Sequence, residues 1–221
     1  MELTVTRDVD VMADVASAMA AIVLRWTLAS GPTASLALSG GRTPRPMLER
    51  LAEESDIDWA RVVVFQVDER LAPLGHVDRN LTMLEDALLS RVPATVHPMP
   101  VGGDPDRDAE AYAALLPAAL DLVVLGLGAD GHTASLLPGD GAASQVDQSV
   151  AVSGEYQGRR RLTLTAPTLS RADHKLWLVT GPDKRHALDL LMKGDPSIPA
   201  TLVSVEGARV VTDRYAVLGA D

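Results

Sequence analysis

The sequence predicts an α/β chain: a mostly parallel, open sheet with helices on both faces, Rossmann-like in layout. Three observations predict it. Short runs such as 34–38 (ASLAL), 61–67 (RVVVFQV), 121–125 (DLVVL) and 175–180 (KLWLVT) alternate with segments of helical periodicity. The runs are apolar nearly throughout rather than every second residue, as strands covered on both faces are. Glycines, acids, bases and a histidine come directly after them, where open parallel sheets bind ligands.

Residues 8–30 read as a helix. Asp8 or Asp10 can cap it, Val11, Val15, Met19, Ile22, Val23 and Trp26 recur at helical spacing, and Gly31-Pro32 stops it. ASLAL is a short buried strand, ended by Ser39-Gly40-Gly41. Thr43-Pro44 opens a helix that turns Leu48 and Leu51 inward, since threonine caps well and proline is tolerated in a first turn. RVVVFQV is a β-branched strand, and 80–90 is helical. Gly102 to Pro105 is a loop before an Ala-rich helix at about 107–118. DLVVLGLG is the next strand. Pro138 to Ser149, rich in Gly, Asp, Ser and Gln, is expected to be a mobile loop. RLTLT (161–165) and KLWLVTG (175–181) are strands around a short helix near 167–172, residues 182–193 are helical, and VVTD followed by YAVL closes the chain. No repeat, low-complexity tract or linker divides it, so 1–221 is read as one domain.

Composition narrows the function. Hydrophobic residues make up 47%, but with three Trp, three Tyr and one Phe the core must rest on aliphatic side chains. A net charge of −10 argues against nucleic-acid and anionic-membrane partners, which require a basic face. A small anionic substrate remains open, because a local group of cations and backbone N–H groups suffices for one. The absence of cysteine removes disulfides, thiolate zinc sites and thiol nucleophiles together. Acids stand at the start where a secretory leader carries bases, and no run of about 18 apolar residues occurs. A soluble cytoplasmic protein is expected.

Four segments at strand ends carry the chemistry. Ser39-Gly40-Gly41-Arg42-Thr43 is a glycine turn before a helix, which can cradle a phosphate or be an ordinary strand-to-helix turn. It lacks the Gly-Lys-Ser/Thr ending of a Walker A loop, and a nucleophile elbow at Ser39 has little support, since its strand comes first and no convincing Asp…His pair follows in the expected order. Asp68-Glu69-Arg70 supplies an acid, an ion pair and a cation, against the plainer reading of solvated charges. Gly126-x-Gly128-x-x-Gly131 mimics a dinucleotide fingerprint. Pro138-Gly139 cuts its helix short, Asp147 lies in a loop rather than after a strand, and Asp130 would repel a pyrophosphate. The other reading makes His132 a general base, since imidazole titrates near neutrality. A capping loop with an incidental histidine is the plainer alternative, and Asp68, Asp130 and His132 as metal ligands ranks below the general base without a further histidine. Lys184 in GPDK can meet a phosphate as a point charge or be a surface lysine.

Together, LSGGRTP, VDER, GLGADGHTASLLPG, RLTLT and GPDK resemble the 6-phosphogluconolactonase family, in the family's order and over about 34–193. The resemblance implies the sugar-phosphate deaminase/isomerase fold and hydrolysis of 6-phosphogluconolactone. It makes His132 the catalytic histidine, with Asp130 and Asp68 as acids shaping the site. Arg70 and Lys184 become cations near the substrate, Arg161 a further substrate contact, and Ser39, Gly40 and Gly41, with Arg42 and Thr43, the phosphate-facing loop. It implies a small sugar-phosphate substrate; the hydrolysis of a reactive lactone requires no metal or organic cofactor, and a monomer is expected. One departure is Arg79-Asn80, where the family often shows Ser-Asn. The related deaminases are the rival: they carry DEY in place of DER, and a glutamate five residues after the histidine, where this chain has Leu137. A non-catalytic sugar-phosphate sensor is the third reading. Retention of His132 and Asp130, with no basic patch, argues against it.

Overall fold

Successive side chains of a strand point to opposite faces, and here both faces meet apolar partners. The computed structural model describes residues 1–219. In chain order its strands are β1 (Glu2–Thr6), β2 (Ala34–Leu38), β3 (Val62–Gln66), β4 (Asp68–Arg70), β5 (Thr95–His97), β6 (Leu122–Gly126), β7 (Val150–Tyr156), β8 (Arg159–Leu164), β9 (His174–Val179) and β10 (Ala208–Asp213). Its α-helices are α1 (Val9–Ser30), α2 (Arg45–Leu51), α3 (Asn80–Leu84), α4 (Pro105–Ala113), α5 (Ala166–Ser170), α6 (Arg185–Lys193) and α7 (Arg214–Leu218). A parallel sheet runs β1-β10-β9-β6-β2-β3-β5. Leu36 and Leu38 of β2, Val124 of β6 and Leu176 of β9 join α1, α2 and α3 in one core. Ala37, Val123 and Trp177 from the same strands join α4, α5 and α6 in the other. That double burial explains why the runs are apolar throughout.

The phase of α1 differs from the expected one. Met12, Ala13, Ala16, Ala20, Leu24 and Leu28 are its buried face, while Ile22 and Trp26 are 60% and 65% exposed. Ala13, Ala16 and Ala20 let the helix lie close to the sheet, between the buried Met12, Leu24 and Leu28, while Ile22 and Trp26 fall on its flank. Asp8 caps it, accepting from Val11 N at 2.9 Å. By length and composition α1 is apolar enough to cross a bilayer, but its inner face is packed on the sheet.

Other boundaries shift for local reasons. Thr43 does not cap α2: its hydroxyl bonds to that of Thr180 at 3.0 Å, and Pro44 takes the cap position. The helix expected at 107–118 spans Pro105–Ala113, capped by Asp104 and stopped short of Pro117. The 80–90 helix is α3 followed by a π-helical turn, Glu85–Leu89. Strands β1, β4, β5 and β7 lie where no strand was expected, since the sequence reads Asp68–Arg70 as the charged end of the preceding strand. Within 138–149 the structure has a 3₁₀ turn, Gly141–Ser144, capped by Asp140, and Asp140 also accepts from Gly154 N at 2.7 Å.

RLTLT is not part of the main sheet. As β8 it pairs antiparallel with β4 and β7 in a second, three-stranded sheet. Val67 joins the two sheets: its N–H donates to Leu38 O in the first, and its carbonyl accepts from Leu164 N in the second. From β2 the main sheet extends through β3 to β5 on one side and through β6 to β1 on the other. The reversal of order opens a crevice between the carboxyl ends of β2 and β6.

Candidate active site

A cleft of about 490 Å³ occupies that crevice. Ser39, Gly40, Gly41, Arg42 and Thr43 wall it from the end of β2. Asp68 and Arg70 reach it from β4, Arg161 from β8, His132 from the loop after β6, and Lys184 from the turn after β9. Asp130 joins through its bond to His132. The structure therefore brings the sequence candidates to one place. Asn80, Thr180 and Asp183 also wall the cleft; the sequence motifs include Asn80 and Asp183 without assigning them a role, and Thr180 was not marked.

The loop after β6 folds back on itself. Gly131 N donates to Gly128 O at 3.0 Å, and Gly128 N donates to His132 O at 2.8 Å. A side chain at Gly128 would collide with both the His132 ring and the Asp130 carboxylate. Thr133 Oγ1 ties the loop to Gly126 O at 2.9 Å. Held this way, His132 Nδ1 lies 2.5 Å from Asp130 Oδ1, which also accepts from His132 N at 3.2 Å. Partial burial works against the Asp130 charge, but the contacts from His132 outweigh it, so its pKa is lowered. An ionised Asp130 holds the Nδ1 proton and leaves Nε2 of a neutral ring as the acceptor.

Asp68 has a different task. It is buried, and accepts from Ser135 Oγ at 2.6 Å and Asn80 Nδ2 at 3.0 Å. Arg161 Nη1 lies 3.9 Å away. Asp130, not Asp68, orients the histidine. Gly40 permits the approach of Asn80, whose side chain would overlap any Cβ placed there.

Arg70 and Arg161 stand directly opposite each other in the β4–β8 register. Arg70 Nη1 donates to Asp78 O at 2.6 Å, and Arg161 Nη2 to Tyr156 O at 3.5 Å. The Nε of each is buried without a hydrogen-bond partner, as is Ser39 Oγ. Burial lowers the Arg161 pKa; the Asp68 charge opposes this and the Arg70 charge adds to it. Two adjacent guanidiniums bring positive charge to this wall of the cleft. Lys184 is already paired with Asp183, Nζ to Oδ2 at 3.0 Å. Among the described residues no group of three or more His, Asp or Glu side chains is arranged to hold a metal ion.

Glu69 anchors the floor. It accepts from Gln66 Nε2, Arg70 N, Asn80 N and Leu81 N, and pairs with Arg79. The Arg79 departure is thus a buried ion pair behind the cleft.

A family model described as glucosamine-6-phosphate isomerases/6-phosphogluconolactonase matches residues 7–212. A 6-phosphogluconolactonase from a Synechocystis species is 39% identical over 190 residues, 78% of each chain. The crystal structure of 6-phosphogluconolactonase from Thermotoga maritima superposes with a TM-score of 0.85 at 27% identity, covering 96% of this chain and 98% of the other. A monomeric glucosamine-6-phosphate deaminase matches over the full length of both chains, with a TM-score of 0.88 at 17% identity. Backbone likeness therefore reaches both activities, and the side chains of the cleft must separate them.

Proposed function

The chain belongs to the family of glucosamine-6-phosphate isomerases and 6-phosphogluconolactonases, and from that premise we propose how it works as a 6-phosphogluconolactonase. It hydrolyses 6-phospho-D-glucono-1,5-lactone to 6-phospho-D-gluconate, a step of the oxidative branch of the pentose phosphate pathway. The observation that carries this reading is the Asp130–His132 pair at 2.5 Å, set in a cleft walled by Arg70 and Arg161.

A δ-lactone is a reactive ester and requires no covalent nucleophile. His132 Nε2 takes a proton from water as the water oxygen bonds to C1. Asp130 stabilises the imidazolium that forms. Arg70 faces the oxyanion on the former carbonyl oxygen, and Arg161 contacts the substrate beside it. As the intermediate collapses, the bond from C1 to the ring oxygen breaks and His132 returns its proton to that oxygen. The Ser39–Thr43 turn, with Arg42 and Lys184, holds the phosphate and so fixes the carbonyl against the water. We propose a monomer and place it in the cytoplasm.

The deaminase reading lacks its acid. Leu137 is buried and lines a neighbouring hollow beside Pro138 and Ile198, not the cleft. Purified protein should therefore accelerate hydrolysis of fresh 6-phosphogluconolactone in a coupled assay and release no ammonia from glucosamine 6-phosphate. Catalytic ammonia release would reverse the assignment.

Phosphate binding gives a second test. Lys184→Ala should raise KM more than it lowers kcat, because the lysine grips a group remote from the chemistry. A variant with wild-type KM would leave Lys184 as no more than the partner of Asp183.

A further inference from the structure

Tyr156 touches two groups of the proposed machinery without being among the side chains that wall the cleft. Its ring centroid lies 5.3 Å from that of His132, at an interplanar angle of 63°. The Arg161 guanidinium lies over the same ring, 5.1 Å from its centroid, within the range of a cation–π contact. Tyr156 O also accepts from Arg161 Nη2.

This placement depends on an irregularity in β7. Ser153 pairs with Arg161, but Tyr156 pairs with Arg159, so β7 spends one residue more than β8 between the two pairs. In a regular ladder Glu155 would face Arg159, and Tyr156 would point to the opposite side of the sheet. The extra residue turns Tyr156 onto the face that carries Arg161, as bulges beside active sites do. Both ends of the irregular stretch are held. Gly154 N donates to Asp140 Oδ2 at 2.7 Å, where a side chain on Gly154 would strike that carboxylate. Beyond Tyr156 the strand reverses through Gln157 and Gly158, both at positive φ. Arg159 then fastens the hairpin to Asp78 at 3.2 Å, and Asp78 O in turn receives Arg70.

We propose that Tyr156 is a positioning residue: its ring locks the His132 imidazole and the Arg161 guanidinium in one relative geometry, so that base and cation address the same substrate. This rests on the lactonase reading of the cleft. The ring bars rotation of the imidazole away from Asp130, and its face gives Arg161 a fixed bed while leaving the guanidinium's Nε unused. Burial raises the phenol's pKa, the Asp130 charge and a hydrogen bond to its carboxylate add to this, and the Arg161 charge opposes it, so the hydroxyl stays protonated and Tyr156 contributes no charge of its own to the site. The charged groups that surround His132 are Asp130 in its own loop and, sharing the cleft with it, Arg161 on β8, Asp68 and Arg70 on β4, and the Asp183–Lys184 pair.

The test compares Tyr156→Phe and Tyr156→Leu with wild type on 6-phosphogluconolactone, reading kcat, KM and the pH profile. Leucine fills the space without a π face, and phenylalanine keeps the face without the hydroxyl. Tyr156→Leu should lower kcat by about tenfold to a hundredfold, the cost of a misplaced catalytic group, with a smaller change in KM and a displaced acid limb. Tyr156→Phe should restore most of the rate and the wild-type profile. If Tyr156→Leu keeps wild-type kcat and pH profile, the proposal is wrong while the lactonase reading stands. If Tyr156→Phe falls as far as Tyr156→Leu, the ring is not the working part and the proposal is equally wrong. An inactive wild type overturns both readings together.

Discussion

His132→Asn lowers kcat for lactone hydrolysis by about 10²–10⁴-fold, the usual worth of a general base, while folding and phosphate binding persist. Asparagine can keep a hydrogen bond toward Asp130 but cannot take up a proton, so it separates positioning from base catalysis. The fold should tolerate the change because the loop is held by backbone bonds: Gly128 N to His132 O, and Gly131 N to Gly128 O. The lactone also hydrolyses without enzyme, so the variant is compared with an enzyme-free control at each pH. In the wild type, kcat/KM should fall on acidification, because a protonated imidazole has no lone pair for water's proton. Asp130, with its lowered pKa, stays ionised through the range in which an imidazole titrates. The acid limb therefore reports the ring rather than the carboxyl, and His132→Asn should abolish it. A variant with near-wild-type rate and an unchanged profile would remove histidine as the base and require a carboxylate in its place.

The site was legible in the sequence because parallel topology gathers strand ends. ASLAL, VVVFQV, DLVVL and KLWLV each announce a buried strand, and the residues directly after each run fall into one crevice whatever the details of the helices. Residues that reach the cleft by other routes left no such signal. Asn80 enters because Gly40 has no side chain to exclude it, a pairing between residues far apart in sequence. Tyr156, behind the cleft wall, comes to lie against His132 and Arg161 through one extra residue in a strand broken by Ser153-Gly154, which reads as loop in composition. Asp130 and Asp68 were equivalent as letters. Only the turn that Gly128 allows decides that Asp130 meets the imidazole, while Ser135 and Asn80 take up Asp68. The phase of α1 differs for a simpler reason. Ile22, Trp26 and their large neighbours carry the conspicuous periodicity, whereas the close contact with the sheet uses Ala13, Ala16 and Ala20. Strands β1 and β5 carry no such signal because they lie at the sheet's edges, where double burial no longer imposes a continuous apolar run.

Arg79→Met should be the most damaging substitution for stability among the cleft's supports, at about 3 kcal/mol, the low end of the ~3–5 kcal/mol that breaking a buried ion pair costs. The Glu69 side chain is fully buried and that of Arg79 is 2% exposed, with Nε 3.3 Å from Oε2. The contact is an ion pair rather than an aligned hydrogen bond. Methionine retains much of the buried length but leaves the carboxylate without its counter-charge. The low end applies because four N–H donors remain: Gln66 Nε2 at 2.9 Å, Arg70 N and Asn80 N at 2.7 Å, and Leu81 N at 3.0 Å. Those same bonds keep Asn80 near Asp68, so the folded variant should lose little kcat. Arg79→Lys keeps the charge without the planar fork and gives up the second donor that reaches Met99 O. It should recover part of the loss, and the difference between the two variants isolates the charge from the packing. Denaturant midpoints at constant slope measure both. If Arg79→Met unfolds at the wild-type midpoint, the arginine is a passive replacement for the family's serine and the Glu69 network stands without it.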